Sequence, residues 1–595
     1  MTGFLRALGE IMRNGWRASP GRMVFVFALM VLEYVSWPLA PLVLKRVTDA
    51  VVAHDVATAT KAAAFLPLLA LLSQIGGHLA QVIWVELLDL NLLQINRELG
   101  ELSHGPPGLE HHERPDYADR LELMRNEGNP MYQSVRMTAR WLGLGLQLAV
   151  TIVMLSLLQP VLLLLLLFAV PPLVTGRWAA GRFEQATWGD AEGSRRATHL
   201  LDLAVRADAA REIRIFGLER ELRRRLHESR AALRRRRFRA EYEGVMLMAA
   251  GQLVFALGYV GALLLVVRGA VAGEQTAGDV VLAVALAAQT NSLVYDIVFA
   301  NQFLLRCAHA VGRLAWLRGL IGRLYPPATA GSPVPRELRE GLRLEGVGFR
   351  YPGTETDVLS ALDLEVRAGS TIAFVGENGA GKSTLIKLLC RFYEPTSGRI
   401  LIDGIDLARV EPEAWRTRVA AGFQDFVRFE LVARESVGVG HLPAAGDAAT
   451  VGDAVERAGA ADLVAQLPFG LETHLGKTYA DGTELSGGQW QKVALARAMM
   501  RTEPLLLILD EPTSALDAAA EHLLFERYAT SARAVARATG GIAIFVSHRF
   551  STVRMADRIV VVDGGRIAEQ GTHEELVALG GIYAELFALQ AAAYR

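Results

Sequence analysis

Two cysteines in 595 residues, Cys307 and Cys390, leave no material for a disulfide framework or a multi-cysteine metal site. Both read as small buried hydrophobes. A surplus of charge of one sign is also lacking. The 62 Lys and Arg stand against 63 Asp and Glu, so nothing global points to nucleic acid. A cleavable signal is not expected either, because the first apolar run, residues 23–44, is longer than the ~7–15 residues of a signal core. It reads as an anchor. What the chain has in quantity is apolar surface: 51% of residues are hydrophobic and the mean hydropathy is +0.25. The length suggests several domains, and apolar runs of about 20 residues are candidates to span a membrane.

Six such runs are read, with loose ends: 23–44 (continuing toward 52), 62–85, 141–158, 161 to about 174, 245–267 and 280–305. Gln159 and Pro160 break the third from the fourth. Arg6, Arg13, Arg17 and Arg22 precede the first run, and the stretch between the fourth and fifth is rich in Arg, including Arg223 to Arg225 and Arg234 to Arg237. Positive charge gathers on the cytoplasmic side of spans, so the N-terminus, both long connections and the C-terminal half are expected in the cytoplasm. The Arg-rich run reads as a solvated positive-inside helix face, not a nucleic-acid patch. The connections, 86–138 and 177–243, are polar and helical in pattern, and structureless loops of that length are uncommon. Their spans are expected to continue as helices past the membrane, the first interrupted at Gly105-Pro106-Pro107-Gly108.

Pro326, Pro327, Pro333 and Pro335 mark a linker at 323–340 between a membrane domain, 1–322, and a domain at 341–595 where β-rich runs alternate with helical patterns. There, Gly376-Glu377-Asn378-Gly379-Ala380-Gly381-Lys382-Ser383 follows an apolar strand, 371–375, and opens a helical run, 383–391, with Thr384 counted among the nucleotide contacts. That is the context a phosphate-cradling loop requires. Lys382 is placed for the β- and γ-phosphates and Ser383 for Mg²⁺. A second apolar strand, 505–509, ends in Asp510 and Glu511, an expected Mg²⁺ ligand and a residue placed to polarise the attacking water. A third, 542–546, ends in Ser547 and His548. Between them lies Leu485-Ser486-Gly487-Gly488-Gln489, opening another helix.

In this order and spacing the motifs resemble those of ATP-binding-cassette transporters, over essentially the whole chain. The resemblance implies a multidomain membrane protein: an all-α six-helix transmembrane domain followed by an α/β P-loop nucleotide-binding domain, with ATP and Mg²⁺ as cofactors. It implies that Ser486, Gly487, Gly488 and Gln489 serve the nucleotide of a second motor. Gln424 would be the Q-loop residue that senses Mg²⁺, Asp517 would lie in the D-loop, Tyr351 would stack on adenine and His548 would reach the γ-phosphate. One motor per chain implies a homodimer, or a dimer with a related half-transporter, working by alternating access. Segments near 109–121 and 211–219 resemble the coupling helices that dock on the motors.

FQDFVRFEL, LSGGQWQKVALARA and LFALQAAAY are similar to exporters of ribosomally made, modified peptides, lantibiotic exporters among them. Many of those carry an N-terminal cysteine peptidase. About 22 residues precede the first span here, with no cysteine among them, so any leader is expected to be cleaved elsewhere. A peptide or peptide-like cargo exported across the bacterial cytoplasmic membrane is the expectation, with a drug, lipid or other amphiphile as the alternative and a soluble mechanical ATPase disfavoured by the spans. Glu33 and Asp296, with Trp37, Gln289, Asn291 and Tyr295, are the candidate cargo contacts, since charge inside a span is costly and faces a cavity or a partner.

Overall fold

The computed structural model describes residues 2–126, 131–158, 160–189, 191–207, 209–326, 331–511, 518–547 and 553–593. Two compact units emerge: Met1–Glu101 with Arg120–Arg318, and Leu102–Asp119 with Gly319–Arg595.

Among the described residues, six helices, lying mainly in the first unit, are long and apolar enough to cross a membrane. An apolar segment in hydrocarbon must satisfy its own backbone, which favours helix. Three helices far exceed the hydrocarbon thickness: Val56–His104, Glu219–Val271 and Ala277–Leu324. The 53 residues of the second of these span about 80 Å against about 30 Å of membrane core. Pro20 opens the first span, Pro20–Val52, where its missing N–H costs nothing. The fourth span differs from expectation in its first turn. It starts as a 3₁₀ segment, Pro160–Leu164, and becomes α-helical at Leu165. The second connection is broken between Ala191–Val205, Ala210–Ile215 and Glu219–Val271.

The fourth and fifth spans approach closely through glycine. Gly244 lies against Ala179, Gly251 against Pro172 and Thr175, and Gly258 against Phe168. A Cβ at Gly251 would stand 3.0 Å from the Cα of Pro172, so only hydrogen fits. Small residues at such seams let helix backbones meet where lipid supplies no hydrophobic drive. Several polar groups inside the bundle are paired. Arg140 donates to Asp296 at 2.7 Å, Lys45 pairs with Asp279, and the Asn91 carboxamide donates to the Met131 carbonyl at 2.9 Å.

The second unit holds two sheets. Strands β1 (Gly341–Phe349), β2 (Leu359–Arg367), β4 (Ser397–Ile402) and β5 (Ile405–Asp406) form an antiparallel sheet in the order β2-β1-β4-β5. Strands β3 (Thr371–Val375), β6 (Val419–Gly422), β7 (Leu506–Asp510), β8 (Ile542–Val546), β9 (Arg558–Asp563) and β10 (Arg566–Gly571) form the other, in the order β10-β9-β3-β8-β7-β6. Only β10 runs antiparallel to its neighbour. Every residue of β7 and β8 is buried, as expected for parallel strands covered on both faces. Ile508 and Ile544 enter one core, and Leu507, Leu509 and Phe545 the other.

Residues 102–119 pack within this second unit. The chain bends after His104 and makes a 3₁₀ turn, Glu110–Glu113. The Leu109 N–H donates to the Phe392 carbonyl at 3.1 Å. The Arg416 guanidinium donates to the carbonyls of Pro107, Cys390 and Arg391. His111 is buried, with one ring nitrogen 2.9 Å from the Ser103 carbonyl and the other 3.2 Å from the Tyr325 hydroxyl.

Candidate functional site: a phosphate-cradling loop facing an acidic pair

Strands β3, β6, β7 and β8 run parallel, so their carboxyl ends emerge along one edge of the sheet. Open α/β sheets place ligands at that edge. The β3 end carries the glycine-rich loop, the β7 end Asp510 and Glu511, and the β6 end leads to Gln424. Together Gly376, Glu377, Asn378, Gly379, Gly381, Lys382, Ser383, Thr384, Gln424, Asp510 and Glu511 line a cavity of about 940 Å³. Gly381 caps the Lys382–Leu389 helix at φ 107°, a conformation that glycine adopts without cost. The helix N-terminus therefore points its free N–H groups into the cavity.

Lys382 is largely buried and donates to the carbonyls of Gly376 at 2.7 Å and Glu377 at 2.8 Å. Burial lowers its pKa, while Glu511 and Asp510 oppose the shift. Burial pushes the Asp510 carboxyl up to about 6, and the neighbouring Glu511 charge adds to it. Glu511 sits at φ 46°, in a region that non-glycine residues rarely occupy. Its N–H donates to the Val546 carbonyl at 2.9 Å. Its carbonyl accepts from Gln491 Nε2 at 3.1 Å, and its carboxylate accepts from Gln424 Nε2 at 2.7 Å.

Tyr351 lies outside the cavity lining. Its hydroxyl is 3.1 Å from that of Thr384, and its ring stands edge-on to Phe349. Ser486 caps the Gly487–Met499 helix in a reciprocal capping box with Gln489, so that helix start is built and rigid. Ser486 and Gly487 are exposed and Gly488 is partly so, and none of the three lines the cavity. His548 and Asp517 lie outside the described residues. Sequence reasoning missed Gln491 altogether. Its one signal is a polar residue on the buried stripe shared with Trp490, Val493 and Ala494.

In the membrane unit the candidate cargo residues mostly meet one another or a neighbour. Asp296 pairs with Arg140, Gln289 donates to the Trp37 carbonyl at 3.1 Å, and Asn291 accepts from Gln252 at 3.2 Å. Trp37 and Tyr295 expose their rings. Glu33 lies close to Gly77 of the second span.

A multi-pass membrane protein with a phosphate-cradling ATPase is the class these features define. The family description "ABC transporter transmembrane region" matches residues 138–294, and "ABC transporter" matches 359–514. The chain belongs to the ABC transporter family, as an exporter-type half-transporter that couples ATP hydrolysis to transport. It is 33% identical over 432 residues to an ATP-dependent lipid A-core flippase of Chromohalobacter salexigens, covering 72% of this chain and 71% of that protein. To the subtilin transport ATP-binding protein SpaT of Bacillus subtilis it is 38% identical over 242 residues, 41% of this chain and 38% of that one. The solved structure of a bacterial Atm1-family ABC exporter with ATP bound aligns with a TM-score of 0.79 and 27% identity, covering 96% of this chain and 98% of that one.

Proposed function

We propose that two copies of this chain form an exporter in the bacterial cytoplasmic membrane, with N-termini and motors in the cytoplasm, moving an amphiphilic cargo such as a modified peptide. The observation that carries the cargo reading is the mix of side chains along the sixth span: Tyr295 is exposed, Asn291 meets Gln252 of the fifth span, Gln289 meets exposed Trp37 of the first, and Asp296 pairs with Arg140 of the third. Aromatic faces with amides and a charge pair suit a cargo with both apolar and polar sides. A lipid is the second reading, favoured by the likeness to the lipid A-core flippase.

In the motor, the loop N–H groups and Lys382 bind phosphate oxygens. The donor set fits Mg²⁺: the Ser383 hydroxyl, the Asp510 carboxylate and the Gln424 amide share one cavity, and Mg²⁺ is held by one or two carboxylates with substrate phosphates. The ion would neutralise charge developing on the transferred phosphoryl group. Glu511 orients the attacking water once Gln424 releases its carboxylate. Tyr351 stacks on the base. Exposed Ser486 and Gly487 face the nucleotide of the second copy, joined there by Gly488 and Gln489, while His548 and Asp517 contribute as the family resemblance implies. Residues 102–119, docked on the motor, transmit its movement. Ile215 and Phe216, 81% and 68% exposed at the tip of the second connection, offer the partner's motor an apolar contact.

ATPase activity in lipid nanodiscs, across modified peptides, drugs and lipids, tests this. Stimulation by peptides, removed by Asp296→Asn or Glu33→Gln, supports the first reading, and stimulation by lipids alone replaces it with the second. Glu511→Gln is expected to lower hydrolysis at least ~100-fold while nucleotide binding persists. Hydrolysis at the parental rate would remove Glu511 from its role.

A further inference from the structure

Gln491 belongs to none of the contacts assigned so far to nucleotide. It sits on the Gly487–Met499 helix, just past the capping box that fixes the helix start at Ser486. Its side chain is 5% exposed, and its amide donates to the Glu511 carbonyl at 3.1 Å. That carbonyl belongs to a residue at φ 46°, whose N–H is held from the other side by Val546 at 2.9 Å. A strained backbone persists only when its surroundings over-determine it. Among the described residues, strand β8 restrains the Glu511 N–H and Gln491 restrains its carbonyl, from a helix whose exposed start lies at Ser486.

We propose that Gln491 is a positioning residue that couples the two nucleotide sites of the dimer. The inference rests on the assignments of Glu511 and Ser486 made above. The exposed start of the helix meets the nucleotide held by the second copy. About 8 Å along the same helix, Gln491 grips the backbone of the Glu511 that works on this copy's own nucleotide. Trp490, Val493 and Leu495 are buried beside it, in one core with Leu507 and Leu509 of β7, so a load on the helix start at Ser486 is carried to Gln491 and the β7 end. Occupancy of one site thereby sets the orientation of the hydrolytic glutamate in the other. The D-loop is not needed for this route, which uses only side chains of the Gly487–Met499 helix and the end of β7.

The test uses the full-length transporter in nanodiscs, with Gln491→Leu, Gln491→Glu and Glu511→Gln beside the parent. Gln491→Leu is expected to lower kcat by ~10- to 100-fold, the usual effect of a small misplacement of a catalytic group. ATP affinity, read with a fluorescent nucleotide, and Tm stay at parental values. The Hill coefficient for ATP, above 1 in the parent, falls to 1. Gln491→Glu donates to the carbonyl only when protonated, so its activity relative to the parent rises as pH falls, while that of Gln491→Leu does not. A structural role would instead lower Tm, affinity and kcat together with no such pH dependence, and that result overturns the proposal. So does a parental Hill coefficient of 1, or an unchanged kcat in Gln491→Leu. Full hydrolysis by Glu511→Gln would overturn the assignment of Glu511 itself, whereas its loss beside a parental Gln491→Leu leaves that assignment standing and sinks only the coupling.

Discussion

Removing the Arg416 guanidinium should loosen residues 102–119 from the motor by a calculable amount. Of its three carbonyl acceptors, Cys390 and Arg391 belong to the motor and only Pro107 lies in the docked segment. The first two hold the guanidinium in place, and the third is the bond that undocking breaks. A hydrogen bond from a charged donor is worth about 1.5–3 kcal/mol, which is ~10- to 150-fold in the docked population. The group is half-buried, and burial lowers its pKa, so solvent competes weakly for the bond. The Leu109 N–H, bonded to Phe392 at 3.1 Å, reports docking directly. In Arg416→Ala its hydrogen exchange should accelerate by that factor, with exchange in β7 and β8 unaltered. Arg416→Lys keeps the charge but not the planar fork, and should fall between. Export should fail while basal ATPase persists, because the motor cavity is untouched. Unaltered exchange at Leu109, or ATPase lost in step with export, would refute the reasoning.

Other consequences are tested more simply. Burial, reinforced by the charges of His112 and His104, holds His111 below its ordinary pKa of 6.5 and outweighs the raising effect of its bond to Ser103. The unfolded state therefore binds the proton first, so stability is complete above pH 6.5 and declines as pH falls below it, by at most ~1.4 kcal/mol per pH unit. His111→Gln should flatten that part of the Tm-versus-pH curve, and a curve of unchanged slope would contradict the burial argument. Gly251→Val should destabilise the membrane unit by about 1–3 kcal/mol through overpacking against Pro172. Gly261→Val, where a Cβ meets nothing within 4 Å, serves as the control in the same thermal unfolding assay.

What could be read from the sequence was local. The loop from Gly376 to Ser383 is one contiguous run after an apolar strand, so its chemistry and its place at the β3 end came together. The spans announced themselves by length. Contacts across sequence were not legible: 156 residues separate Arg140 from Asp296 and 309 separate Pro107 from Arg416, and no periodicity links such pairs. Composition alone places residues 102–119 in the membrane domain; that the segment near 109–121 docks on a motor follows only from the family resemblance, and these residues do pack in the motor's unit. The left-handed backbone of Glu511 was invisible because glutamate seldom adopts it, and Gln491, its restraint, looked like one more polar residue in a helix. Cargo is hardest of all, since the motor motifs are shared by exporters of unlike molecules, and the candidate cargo residues are scattered over separate spans.

The glycines that join the fourth and fifth spans recur every seven residues, at 244, 251 and 258. A straight α-helix drifts by about 20° per seven residues, so keeping all three against one neighbour requires the pair to wind gently left-handed. The information in this seam is therefore metric as well as chemical. One residue inserted between Gly244 and Gly258 would swing the next glycine about 100° off the line of contact. Along this stretch the count of residues, more than their kind, keeps the two helices in register.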